Sequence, residues 1–445
     1  MRLSNAARLA TGSVCVAWAL MGSSSVYANE TITDVGPRID QVISQNYSQW
    51  DAIYKDLHQH PELGFQETRT AKVMAEQMKA LGFEVTEGVG GTGVVAIFRN
   101  GDGPVVMVRT ELDALPVQEN TGLPYSSNAV STFNGAETAV MHACGHDIHM
   151  ATWLGTAKTL VSLKDSWQGT LMFIAQPAEE SLSGAKAMID DGLFKRFTKP
   201  DVAIALHTWN DAAGLIGLTE GPVLTGSTQV EIVFHGVGAH GSMPHTGIDP
   251  IVQAAQFITT VQSVISRAKN PGDFGVFTVG AVHSGQAGNV IPNQATLMAS
   301  MRFTNDETRK VIHDGVVRTA KGVAQISGAE EPEIKFAGDV PPTINDKALV
   351  DQTEQILQQA LPAETVVRIP MAAPSEDFAL YGKEGIPSLF FFLGALDPKL
   401  VEASRLPGGK PVPTQHSPFF APVPEPTITT GVKAMTLTVL GQLAK

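Results

Sequence analysis

Apolar residues recur at helical spacing through Ile39, Val42, Ile43, Trp50, Ile53, Tyr54 and Leu57, which predicts an amphipathic helix running into "LHQHPELGFQE". A second helix carries Val73, Met74, Met78 and Leu81, with Gly82 as its expected stop. The rhythm then shortens. "GTGVVAIF", "PVVMVRT", "GTLMFIAQ" and "DVAIALH" are apolar, β-branched runs punctuated by glycine and proline. Runs of this kind predict strands buried on both faces. A helix over 148–163, capped by Asp147, lies among them. The alternation predicts an α/β domain with a central mixed sheet covered by helices.

The middle of the chain has another order. "STQVEIVFHG" is a predicted strand and 249–268 a helix. "FGVFTVGAVH" and "ATLMASMRF" are strands, 306–326 is a helix, and "EIKFAG" is a last strand. This βαββαβ sequence predicts a ferredoxin-like split βαβ sandwich from Thr225 to Gly338. "PPTIND" at 341–346 reads as the return linker. Helix 347–360, strand "SLFFFLG" and a closing helix from about 427 then resume the first pattern. The expected organisation is a signal over 1–28, a catalytic α/β domain in two parts, 29–224 and 339–445, and a smaller lid or dimerisation domain, 225–338, interrupting it.

The leader has Arg2 and Arg8, an apolar run from Leu9 to Gly22, and small residues at Val26-Tyr27-Ala28. It predicts a cleavable secretory signal cut after Ala28, hence a periplasmic or secreted protein with no membrane attachment after cleavage. The net charge of −13 argues against a nucleic-acid partner, whose phosphates demand a basic face. Of the two cysteines, Cys15 would leave with the signal, so Cys144 has no partner for a disulfide within the chain.

Cys144 sits in "MHACGHDIHM", among His142, His146 and His149. Three readings stand side by side here. The histidines are one polar helix face, or Cys144 is a nucleophile beside a base, or Cys144 and His146 project from a turn onto one metal ion. A redox exchange site lacks its second cysteine. In "FIAQPAEES" the acids Glu179 and Glu180 follow the end of a predicted strand, where open α/β sheets place their sites. The bland alternative is an acidic pair favouring a helix N-terminus. His207 ends "VAIAL", Glu111 and Asp113 follow another strand, and His416 lies in "PTQHSPFF". His240 and His245 occupy a glycine-rich turn, "GAHGSMPH", and are lid residues near substrate or plain loop histidines.

Taken in order, "LHQHPELGFQE", "DALP", "MHACGHD", "QPAEE", "GAHGSMPH", "NVIP" and "HSPFF" resemble the metal-dependent amidohydrolase and peptidase family of hippurate hydrolase, plant auxin–amino-acid conjugate hydrolases and N-acyl-amino-acid deacylases. The resemblance runs from about residue 36 to the end. It implies a two-domain fold with an inserted lid, two divalent metal ions per chain (Mn²⁺ or Zn²⁺), and cleavage of an amide next to a free carboxylate. It implies Cys144, His146, Glu180, His207 and His416 as metal ligands and Glu179 as general base. Asp113 matches an acid behind the ligands, His240 a lid histidine on the reacting carbonyl, and Asn289 a substrate contact. Glu111 departs from the family's usual Asp.

These expectations describe an exported hydrolase of N-acyl amino acids using metal-activated water. The alternatives are a dipeptidase or carboxypeptidase of the same fold, and a metal- or ligand-binding protein without catalysis. The expected partner is a small N-acyl amino acid or dipeptide, and the lid is the candidate surface for a homodimer.

Overall fold

The computed structural model describes residues 32–443. The leader and its expected cleavage point lie outside the described residues. Among the described residues no helix is long and apolar enough to cross a membrane.

The larger body is built on an eight-stranded sheet. Its order is Glu84–Val89, Gly93–Asn100, Gly169–Gln176, Val105–Glu111, Val202–Ala212, Ser388–Leu396, Ile216–Leu218 and Val366–Arg368. The four central strands run parallel, and antiparallel neighbours on both sides make the sheet mixed. The continuous hydrophobicity of these strands follows from burial on both faces. Leu171, Phe173 and Ala175 face the core shared with helices Ile32–Gln59, His146–Ser162 and Pro424–Leu443, while Met172 and Ile174 face the opposite core. In the last strand Leu389, Phe391 and Leu393 alternate in the same way with Phe390 and Phe392.

The helix His146–Ser162 is buried almost all round, between the sheet and helices Ile32–Gln59 and Pro424–Leu443. That position explains its lack of a polar face. It begins two residues earlier than the Asp147 cap predicts. Gly145, at φ +84°, occupies the N-cap position, and His146 lies in the first turn. Asp147 still accepts from the Ile148 N–H at 2.9 Å, but its other oxygen is taken by His58.

The inserted body is a four-stranded antiparallel sheet in the order Gly275–Ser284, Gln294–Phe303, Gly226–His235, Glu333–Val340. Helices Pro250–Ser263 and Asp306–Ile326 pack Phe257, Val261, Ile312 and Val316 onto Ile232, Phe234, Leu297 and Met301. Each helix has a side-chain cap, from Asp249 and Asn305 respectively. The order of elements along the chain is the expected βαββαβ.

The "PPTIND" segment is more than a linker. Thr343–Asn345 forms a strand against Gly221–Leu224, so both crossings between the bodies share one antiparallel ribbon. The strand holding His207 also runs further than its apolar part, to Ala212, with His207 opposite Phe392.

Candidate metal centre

The three parallel strands Gly169–Gln176, Val105–Glu111 and Val202–Ala212 are neighbours, so their carboxyl-terminal halves bring three loops or side chains to one edge. Glu179 and Glu180 follow the first, Glu111 ends the second with Asp113 beyond it, and His207 projects from the third. Cys144 and His146 reach the same edge from the turn that opens the central helix. His416 arrives from the C-terminal loop, at φ +66°.

The structure gathers all five expected ligands. Cys144, Glu180 and His416 present donor atoms within 4.8 Å of one another, as do His146, Glu179 and Glu180. A third overlapping set holds Glu111, His146, His149 and His207. His207 Nε2 lies 3.4 Å from Cys144 Sγ, and His416 Nε2 lies 3.3 Å from Glu180 Oε2. His146 Nε2 stands 3.9 Å from Glu180 Oε1 and 4.0 Å from Glu179 Oε2.

Hydrogen bonding orients these rings. His146 Nδ1 lies 2.7 Å from the Asp113 carbonyl and His207 Nδ1 lies 2.7 Å from the Thr208 carbonyl. A carbonyl only accepts, so each Nδ1 carries the proton and donates, which leaves both Nε2 atoms facing the cluster. Asp113 does double duty, since its Oδ2 also accepts the Glu180 N–H at 2.9 Å.

Divalent cations fit this donor set. His146 Nε2, Glu180 Oε1 and Asp113 Oδ1 are buried polar atoms without a hydrogen-bond partner. A sulfur and an imidazole nitrogen sharing a tetrahedral ion, at about 2.3 and 2.0 Å, stand about 3.5 Å apart. The Cys144–His207 separation of 3.4 Å matches that requirement. The charges agree. Burial, with Glu376 and Glu180 nearby, pushes the Glu179 carboxyl well above the carboxylate range. Burial lifts Glu180 to about 7, against the pull of His146. Burial would lower His146, but its Asp113 hydrogen bond and the Glu111 charge carry it up to about 10. Burial and the adjacent His149 hold His207 well below the usual histidine value, and burial with Glu180 and Glu179 pushes the Cys144 thiol up. The pocket therefore has more negative charge than it can neutralise internally, which is what a bound cation relieves.

Several site residues escape the sequence reading. Arg109, wholly buried, pairs with Glu111, with Glu376 at 2.7 Å and with Asp377 at 3.2 Å, and its Nε donates to Gln176 Oε1 at 3.1 Å. Glu111 is long enough to bridge Arg109 and His149 Nδ1, the latter at 2.9 Å from Oε2. Its burial opposes ionisation, but Arg109 and His149 hold its carboxyl well below the usual range. The departure from Asp thus leaves Glu111 doubly engaged. Behind the cluster, His58 is clamped between Asp147 at 2.6 Å and Glu119 at 3.2 Å. Burial would lower it, yet those hydrogen bonds raise it to about 9. Two signals were available in the sequence: His149 lies one helical turn after His146, and "PSEDF" carries the acids Glu376 and Asp377.

His240 and Asn289 meet each other on the inserted body. His240 pairs with Val290 across a two-residue ladder, and the Gly241 N–H donates to the Asn289 carbonyl at 2.8 Å. His240 is exposed, with Nδ1 accepting from the Ser242 N–H at 3.1 Å. Neither makes a described hydrogen bond or ion pair to the five ligand residues.

The profile of peptidase family M20/M25/M40 matches residues 107–438. The chain is 37% identical to the hippurate hydrolase of Campylobacter jejuni, over 75% of this chain and 85% of that protein. It is 35% identical to thermostable carboxypeptidase 1 of Saccharolobus solfataricus, over 78% of this chain and 86% of that protein. Among solved structures, the Bacillus subtilis YXEP protein, described as a dinuclear metal binding peptidase, superposes with a TM-score of 0.72 at 29% identity, covering 90% of this chain and 100% of that one.

Proposed function

The chain belongs to peptidase family M20/M25/M40 and is a hydrolase of amide bonds, and on that premise we propose that it is an exported, metal-dependent hydrolase of N-acyl amino acids. The observation that carries this reading is the divergence of two adjacent acids. Both face His146, but Glu180 alone joins Cys144 and His416, whereas Glu179 alone joins Glu376 and Asp377.

Cys144, His146, Glu180, His207 and His416 would hold two divalent ions, with manganese and zinc both acceptable to a set of thiolate, carboxylate and imidazoles. Ions there supply Lewis acidity, polarising the scissile carbonyl and acidifying water. Glu179 is then the general base. Its buried position among Glu376 and Asp377 raises its proton affinity, which suits it to take a proton from water and pass it to the leaving nitrogen. Asp113 fixes both the His146 ring and the Glu180 backbone, so the two ligands stay in register. His240, from the lid, would contact the reacting carbonyl oxygen, with Asn289 beside it on the substrate. The proposal includes cleavage after Ala28 and a homodimer through the lid; N-terminal sequencing of exported protein should begin at Asn29.

Carboxypeptidase action on peptides is the second reading, favoured by the carboxypeptidase relative. The family excludes the non-catalytic reading. A panel of N-benzoyl- and N-acetyl-amino acids beside dipeptides, run on metal-reconstituted protein, separates the two enzymatic readings. Chelator should abolish turnover and added manganese or zinc should restore it. Full turnover in protein shown by elemental analysis to be metal-free would sink the metal-dependent mechanism.

A further inference from the structure

We infer that Thr208 is a positioning residue whose hydroxyl locks the Cys144 turn against the His207 strand, so that three ligand-bearing segments hold one spacing. This rests on the metal reading above. Thr208 is fully buried and immediately follows His207. Its Oγ1 donates to the Cys144 carbonyl at 2.9 Å. Its N–H donates to His149 Nε2 at 2.8 Å, and its carbonyl accepts from both His207 Nδ1 and Gln415 Nε2 at 2.7 Å. Gln415 precedes His416, whose own N–H donates to the Ala143 carbonyl at 2.8 Å. The Cys144 turn, the His207 strand and the His416 loop thus all meet at one residue.

The backbone bonds at position 208 form with any side chain. The bond to Cys144 needs a hydroxyl. Close approach also needs Gly145, where an added Cβ would stand 2.7 Å from Thr208 Oγ1. Gly145 has φ +84°, a conformation that glycine adopts without strain. The turn and the strand are therefore shaped to each other at the point where Sγ and Nε2 come within 3.4 Å. Donor spacing sets how well one ion satisfies both atoms, and groups that orient ligands typically change metal affinity by about 10–100-fold when removed.

The test is Zn²⁺ affinity, measured by competition with a chromogenic chelator on the full chain. Thr208→Val keeps the shape and removes the hydroxyl, and should weaken affinity by about 10-fold or more. Thr208→Ser restores the donor and should return affinity to near the wild-type value. Melting of the metal-free protein is measured alongside, because a purely structural role would lower that melt and leave affinity unchanged. Unchanged affinity in Thr208→Val, or a Thr208→Ser variant as weak as Thr208→Val, overturns the inference. Should Thr208→Val fail to fold, Thr208→Ala carries the test, being smaller and likewise without a hydroxyl; weakened affinity supports the inference and wild-type affinity overturns it. Wild-type protein that takes up no Zn²⁺ in the same titration overturns the metal reading itself, a result distinct from a metal-binding wild type with an unaffected variant.

Discussion

Arg109 Nη2 and Glu376 Oε1 lie 2.7 Å apart in the interior, although 267 residues separate them in the chain. The same guanidinium holds Glu111 and Asp377, so one cation serves three buried carboxylates. Arg109→Met fills similar space and leaves those acids uncompensated. Removing one partner from a buried cluster typically destabilises by about 3–5 kcal/mol. Guanidinium unfolding of metal-free protein should show a midpoint lowered accordingly. A loss below about 1 kcal/mol would mean that charge pairing does not hold the cluster together.

Glu179 and Glu180 should separate in an assay of metal content and rate on the same sample. Glu179→Gln keeps shape but cannot take a proton, so metal content should stay near wild type while turnover falls by about 10²–10⁴-fold. Glu180→Gln weakens a ligand, so metal, thermal stability and rate should fall together. The reverse pattern would exchange their roles, and two active variants would reduce the pair to an acidic helix end.

His58 makes stability depend on pH. Its folded value of about 9 lies above the ordinary histidine value of 6.5, so the protonated ring favours the folded state. That contribution is complete below about 6.5 and disappears as pH rises through about 9. Unfolding midpoints measured at both ends of the window should fall with rising pH in the wild type more steeply than in His58→Gln. Parallel slopes in the two proteins would show that the ring is not charged between Asp147 and Glu119.

His240→Ala should lower kcat far more than it raises KM, because an oxyanion contact acts in the transition state. A normal kcat with an intact fold would leave His240 as an exposed loop histidine.

The alternation of apolar strands and helices was legible because burial on both faces of a sheet leaves no polar position to disguise it. The βαββαβ order was legible from a different pattern, since its strands alternate buried and exposed positions where helices cover one face only. Cys144, His146, Glu179, Glu180, His207 and His416 stood out only through their shared order with a known family, since single histidines and acids carry little signal alone. The pairing of Arg109 with Glu376 and Asp377 was not legible, for a physical reason. Each looks like a surface charge until a partner far along the chain neutralises it. Thr208 acts through a buried hydroxyl bonded to the backbone of a turn 64 residues away, a contact that the sequence around it does not announce. Ile216–Leu218 and Val366–Arg368 are three-residue strands, too short for any periodicity.

The ribbon formed by Gly221–Leu224 and Thr343–Asn345 marks where the chain leaves the larger body and where it returns. All strands of the insert lie within 226–340, whereas the larger sheet waits for Ser388–Leu396 to fill its interior beside Val202–Ala212. A chain that emerges amino-terminus first therefore holds every strand of the insert while its host sheet is still incomplete. Until that last strand docks, the strand bearing His207 presents an open edge, ready to pair with another nascent chain. Chains truncated between Val340 and Ser388 are expected to yield a protease-resistant fragment near 226–340 and otherwise to aggregate.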